Sequence, residues 1–356
     1  CRVLKEAQNL DHAVLVHVIT KKGKGYRPAE KNPSHFHGVD PFDIATGKSL
    51  KKKTKPSYTD IFSRTICRLG ETHPNLVTVT AAMPDGTGLK KFGEKFPDRF
   101  FDVGIAEAHA VTSAAGMAVA VYSSFLQRGF DQILHDVCIQ NLPVVFAVDR
   151  AGLVGSDGET HQGIFDLSFL TMIPNMTVMA PKNRWELEDM ISFAVDYDGP
   201  IAVRYPRGEA YDGLKEFRSP VSYGKGEMLF EEQEIALLAA GSMVSTGEHV
   251  REKLKAAGHS CSLANLRFVK PIDTELLDRL AKNHRTIVTM EENVLQGGFG
   301  LAAAAYMSSR YPEIKVVNIA LPDAYVEHGN VSLLRSGLGI DSDSIVKKLL
   351  AAERKE

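Results

Sequence analysis

The sequence predicts an α/β protein: two doubly wound sheet domains preceded by an N-terminal arm. Three observations predict it. From Tyr58 onward, apolar runs of strand length alternate with segments of helix length, and the alternation restarts after an irregular stretch at 208–222. The strands are apolar throughout rather than at every second position, the mark of a parallel sheet covered on both faces. The chain has 356 residues, too many for one ordinary core.

The elements follow in order. The arm, 1–56, holds one apolar run, 14–19, read as a strand. After it comes "TKKGKGYRPAEKNPSHFHGVDPFDIATGKSLKKKTKP", too rich in Lys, Gly and Pro to build a core and read as a solvated linker. Within it, His35 and His37 flank Phe36. The chain opens on Cys1 rather than Met and lacks the layout of a signal peptide, so the arm reads as the tail of a preceding domain. The first domain, 57–215, is expected to run helix 58–72, strands 76–81 and 100–103, helices 106–119 and 127–141, strands 143–148 and 176–180, helix 184–197 and strand 201–205. The second, 216–356, is expected to run strand 235–240, helix 244–257, strand 260–266, helix 273–283, strand 286–290, helix 297–309, strand 314–319 and a closing helix.

Composition narrows the chemistry. Basic and acidic residues nearly cancel, 42 against 44, which gives no electrostatic footprint for nucleic acid. The longest apolar runs, such as 143–148 and 235–240, fall far short of the ~20 residues of a membrane helix. Cys1, Cys67, Cys138 and Cys261 are widely spaced with no CxxC pair, which suits a reducing, cytoplasmic compartment better than a zinc site or a disulfide framework.

Polar clusters gather after the strands, where open α/β sheets bind ligands. In "FFDVGIAEAHAV", a run read as a buried strand leads into a helix whose first turn carries Glu107, beside His109. A carboxylate is favoured there by the helix dipole alone. Met83 and Asp85 follow the first strand, and "YSSFLQR" precedes a helix. The loop "DRAGLVGSDGETHQG" at 149–163 packs four glycines and three acids with Arg150 and His161, a composition suited to a site rather than a connection. Arg150, Arg204 and Arg207 lie at strand ends, where guanidiniums could grip a phosphate.

With these residues the chain resembles the transketolase group of thiamine-diphosphate enzymes, on "YSSFLQRGFDQILHDV" and "DRAGLVGSDGETHQGIFDLSFL". "VHVITKKGKGYRPAE", "FHGVDPFD", "RYPRG", "LRFVKPID" and "EENVLQGGFG" make it most similar to the branch that condenses pyruvate with D-glyceraldehyde 3-phosphate, whereas "DGETHQ" is shared across the group. The resemblance implies a pyrimidine-binding domain at 57–215, a transketolase C-terminal domain at 216–356, thiamine diphosphate with Mg2+ as cofactors, and a homodimer. It implies that Glu107 holds a proton at N1′ of the aminopyrimidine. A carboxyl half-buried against an apolar helix start should have a raised pKa, which suits that task. Phe125 matches the ring that stacks on the pyrimidine; Tyr122 and Arg128 line the same pocket, and Met83 and Ile105 help hold the cofactor. Arg150 and Arg207 match the phosphate grip, Asp157 and His161 match contacts to substrate hydroxyls or proton carriers, and His37 matches a histidine reaching the same cavity. On the residues alone, His161 could equally cap the next helix and Asp157 could be a turn residue.

Three departures stand out. No GDG motif occurs, so the diphosphate and metal half of the site is expected on an N-terminal domain of the same enzyme. "AAGMAVAVYSSF" is about seven residues shorter than the group's pattern, which predicts either unobserved residues or a rearranged sheet, the former preferred because losing a central strand would bare a sheet edge. Ala108 replaces a usual glutamine. Two alternatives remain: the C-terminal subunit of a split transketolase using ketose donors, and a non-catalytic transketolase-like module.

Overall fold

The computed structural model describes residues 2–33, 35–39, 41–50 and 54–353, so Cys1 and the lysines at 51–53 lie outside the described residues. It divides into two units, the arm to Thr54 and a body from Lys55. The arm has short helices at Arg2–Ala7 and Arg27–Lys31 and a knot of rings in which Phe36 packs edge-on against Tyr26 and Phe42 at 5.5 and 5.2 Å. The strand expected over 14–19 does not form. Leu15 and Ile19 are 94% and 85% exposed, and the arm's described residues offer that run no strand to pair with.

The body contains twelve strands among its described residues: β1 (Thr78–Thr80), β2 (Phe100–Asp102), β3 (Ala118–Tyr122), β4 (Val145–Asp149), β5 (Thr177–Met179), β6 (Ile201–Arg204), β7 (Glu227–Phe230), β8 (Glu234–Ala239), β9 (Cys261–Asn265), β10 (Phe268–Lys270), β11 (His284–Val294) and β12 (Lys315–Leu321). They form a seven-stranded sheet in the order β10-β5-β6-β4-β3-β1-β2 and a five-stranded sheet in the order β12-β11-β8-β9-β7. Only β10 in the first and β7 in the second run antiparallel. Helix Tyr58–Thr72 opens on a capping box, in which the Ser57 side chain and Asp60 satisfy each other's backbone donors. It lays Ile61, Phe62, Ile66 and Leu69 against one face of the first sheet.

Four expectations are corrected here. The helix expected over 106–119 stops at Thr112, and 118–122 becomes β3, paired with β1 and β4 in the middle of the sheet. The central strand is kept and the helix is shortened. Gly116, at φ +74°, supplies the left-handed turn between them. Second, Phe100–Asp102 is an edge strand rather than a buried one, with Phe101 49% exposed. Third, β10 comes from the second alternation yet completes the first sheet beside β5, with Phe268 buried in the first domain's core. The segment after β3, expected as a helix over 127–141, forms short helical turns from Ser123 and then a π-helical stretch, Ile133–Cys138. Such stretches often accompany functional sites.

Among the described residues, no helix is long and apolar enough to cross a membrane. Cys67, Cys138 and Cys261 are free thiols, the last two buried.

Candidate functional site

The carboxyl ends of β1, β2, β3, β4 and β6 share one edge because those strands are parallel, so side chains far apart in sequence meet there. Glu107 opens helix Glu107–Thr112 and is buried. Its Oε1 accepts a 2.6 Å hydrogen bond from Arg128 Nη1, and Arg128 remains half exposed. The apolar wall expected beside this carboxylate therefore has a guanidinium in it, which offsets the burial of the charge.

From that pair the contacts run on without a gap. The Arg128 guanidinium stands 4.7 Å from the ring centre of Phe125. Phe125 meets Tyr122 at 5.8 Å and His161 at 5.1 Å, the latter edge-on. The Tyr122 hydroxyl lies so close to Gly86 that a Cβ there would fall 1.6 Å from it, so any side chain at 86 would push the tyrosine aside. Arg150 covers the Tyr122 ring at 3.7 Å and donates from Nη1 to Asp157 Oδ2 at 2.9 Å. Arg207 Nη1 donates to the same Oδ2 at 2.7 Å and to Ser156 Oγ at 3.1 Å. Two guanidiniums thus converge on one carboxylate oxygen, with Arg150 itself in the left-handed backbone region at φ +61°. Burial raises the Tyr122 phenol above its usual pKa.

Most of the expected site residues therefore come together: Glu107, Arg128, Phe125, Tyr122, His161, Arg150, Asp157 and Arg207. Met83 and Ile105 do not join this chain of contacts: Met83 sits in the hydrophobic core and Ile105 is 81% exposed. His37 belongs to the arm, where it is exposed. Asp85 is engaged by Lys90 at 3.0 Å. Arg204 is a correction. It is buried and spends its guanidinium on Asp166, at 2.8 and 3.1 Å, and on the Glu292 carbonyl, so it belongs to the core and not to a phosphate grip. His161 caps no helix, since the next one, Asp166–Thr171, has no side-chain cap.

Two residues escaped the sequence reading. Asp149, at the end of β4, is fully buried; burial pushes its carboxyl up to about 6, against the 2.8 Å hydrogen bond from Thr59 and the charges of Arg150 and Arg207. Its Oδ1 has no hydrogen-bond partner. Gln162, 2% exposed, bonds backbone groups on both sides of the domain junction. Its place beside His161 in "DGETHQ" was the available signal. Among the described residues no three His, Cys, Asp or Glu side chains gather as metal ligands would.

Comparison with known proteins decides the family. The description "Transketolase, pyrimidine binding domain" matches residues 54–212, and "Transketolase, C-terminal domain" matches residues 224–345. The chain belongs to the transketolase family. It is 55% identical over 354 residues to the 1-deoxy-D-xylulose-5-phosphate synthase of Lachnoclostridium phytofermentans, covering 97% of this chain and 57% of that protein. With the synthase of the same name from Heliobacterium modesticaldum it shares 49% identity over 353 residues, 97% of this chain and 55% of that one. The chain thus spans somewhat over half the length of the curated relatives it matches. Among solved structures, this transketolase-family chain resembles a split gene transketolase described as an inactive β4 tetramer, with a TM-score of 0.74, 27% identity, and 84% of this chain against 98% of that one. The fold is also that of the transketolase of Campylobacter jejuni, TM-score 0.68 at 18% identity over 84% of this chain and 47% of that one.

Proposed function

We propose that this chain is the pyrimidine-binding and acceptor-binding portion of a 1-deoxy-D-xylulose-5-phosphate synthase, which joins pyruvate to D-glyceraldehyde 3-phosphate with loss of CO2. The observation that carries the reading is the unbroken run from a buried glutamate through an aromatic shelf to two arginines on one acid. Each part has a use in this reaction and no evident use in a module without chemistry.

The residues fit the pyrimidine end of thiamine diphosphate: a buried carboxylate next to a partly exposed ring, with no bulk at Gly86. When bound, that cofactor supplies the carbon acid that takes up the two-carbon unit of pyruvate. Glu107 would hold the proton at N1′ of the pyrimidine, and Phe125 would face its ring. Met83 would fill the space below, and Ile105, being exposed, would act where another part of the enzyme covers it. Arg150 and Arg207 would bind the acceptor's phosphate, with Asp157 keeping the two cations together until the phosphate arrives. His161 and Asp157 would meet the acceptor's oxygens. We assign Mg2+ and the diphosphate to an N-terminal domain of the same enzyme, and the working form to a cytoplasmic homodimer.

The similarity to a split gene transketolase favours a second reading, a subunit that uses ketose donors with a separate partner. The test uses this chain joined to the part of the Lachnoclostridium relative that it does not cover. Pyruvate should serve as donor and xylulose 5-phosphate should not; the reverse preference would establish the second reading. In the same protein Glu107→Gln should keep the fold and lower turnover at least ~10²-fold, since an amide cannot share that proton. Deuterium exchange at C2 of the cofactor reports the effect, and parent-like exchange in the variant would defeat the assignment of Glu107.

A further inference from the structure

We infer that Gln162 is a positioning residue, through which the C-terminal domain holds the acceptor-binding loop in its working shape. The inference rests on the acceptor site proposed above. Gln162 Oε1 accepts from the backbone N–H of Val154 at 2.7 Å and of Gly155 at 3.4 Å, on its own loop. Its Nε2 donates to the backbone carbonyls of Glu327 at 3.1 Å and Val326 at 3.4 Å, on the loop after β12. One side chain, 2% exposed, thus satisfies backbone groups of its own loop and of two adjacent residues, 164 and 165 positions away, on a second loop.

The surrounding contacts fix the same two segments together. Gly329 N–H donates to the Gly155 carbonyl at 3.1 Å. Gly152 and Gly163 exchange backbone hydrogen bonds at 2.6 and 2.8 Å, closing the loop at its neck. Gly152 also lies against Glu292, where a Cβ would come within 2.4 Å of Oε2, and Glu292 is itself held by Arg335 and Ser242. Between neck and latch the loop carries Asp157, on which Arg150 and Arg207 converge, and His161, against Phe125. Gln162 touches none of those side chains in the hydrogen bonds described. It fixes the backbone that carries them, and an amide is the only side-chain group that can donate to two carbonyls at one end and accept from two N–H groups at the other.

The experiment compares Gln162→Met, which keeps the length and loses both polar ends, with the parent. In the chain itself, amide hydrogen exchange should accelerate in 152–157 and 324–331 together. In the complete enzyme, KM for glyceraldehyde 3-phosphate should rise roughly 10-fold or more, the scale of leaving buried backbone groups without partners, while deuterium exchange at the cofactor C2 should change far less. Gly155→Ala is the second variant: at φ +85° with a Cβ 2.7 Å from the Gly329 carbonyl, it should part the same segments with the Gln162 side chain left in place and give the same pattern. Faster amide exchange with an unchanged KM, or an equal fall in acceptor use and C2 exchange, would overturn the inference. A parent enzyme that fails to join pyruvate to the aldehyde would instead refute the proposed function, and amide exchange would still show whether the latch exists.

Discussion

Among single residues, the sequence was most readable where chemistry selects a residue type and least where burial decides what a charge does. Glu107 and Arg150 stood out by their place after strands, but Phe125 and Asp157 were singled out only through the resemblance to the transketolase group. Arg204 could not be separated from Arg207, since both lie at the end of the same strand; only the buried Asp166 behind it shows that it faces inward. Asp149 was invisible for the same reason. Its carboxyl, up at about 6 from an ordinary 3.8, sets a sign. A carboxyl raised in the folded state binds its proton more tightly there than when unfolded, so folding gains from acidification between about 6 and 4 and carries the cost of the charge above pH 6. Asp149→Asn removes that charge and leaves an acceptor for the Thr59 hydroxyl. The variant should be more stable than the parent at pH 8, by an amount on the order of 3 kcal/mol at most, from two pKa units at 1.36 each. The difference should fade below pH 4. Urea unfolding across that range measures it, and a difference independent of pH would mean that the Asp149 carboxyl binds its proton no more tightly in the folded protein than in the unfolded chain.

The regular alternation of elements made most helices and strands legible, often to within two residues, because continuous apolar runs and capped helices carry their own signals. Helix Tyr58–Thr72 is an example, announced by Ser57 and Asp60. The misreading of 106–119 has a definite cause: Ala, Val and Gly in "TSAAGMAVAV" suit a helix by spacing and a central strand by demand, and the sheet's need for a strand between β1 and β4 outweighs local propensity. Gly116→Ala separates the two accounts by sign. In a helix running through 116, alanine would stabilise by about 1 kcal/mol. In the turn described here, at φ +74° with open space around it, alanine meets no clash but must adopt a left-handed backbone, and should destabilise by roughly 1 kcal/mol. Thermal unfolding of the variant gives the answer directly.

For the molecule as a whole, the two sheets were foreseeable but their dependence on each other was not, because it is carried by side chains far apart in sequence. β10 closes the first sheet from within the second alternation, placing Phe268 against Phe193 with ring centres 5.9 Å apart. Next to it lies a buried charge network. Lys182 reaches Glu186 at 3.0 Å and Glu227 at 2.7 Å, and Arg267 reaches Glu186 at 2.7 Å and Glu227 at 3.2 Å. Asn265 donates to both oxygens of Glu186. Lys182 and Glu186 come from the first domain; Glu227, Asn265 and Arg267 come from the second. Removing one side of such a network leaves charges buried without partners, which costs about 3 to 5 kcal/mol for a single broken pair, and it also bares the edge of β5. That loss is comparable to a large part of a domain's whole stability, about 5 to 15 kcal/mol. A fragment of residues 55–215 should therefore fail to fold as a monomer, although it holds six of the seven strands of its sheet, whereas 55–356 should unfold in a single cooperative transition. Circular dichroism and size-exclusion chromatography on the two fragments test this. A monomeric 55–215 with a sharp unfolding transition would show that the first domain closes its own core and that β10 only decorates it.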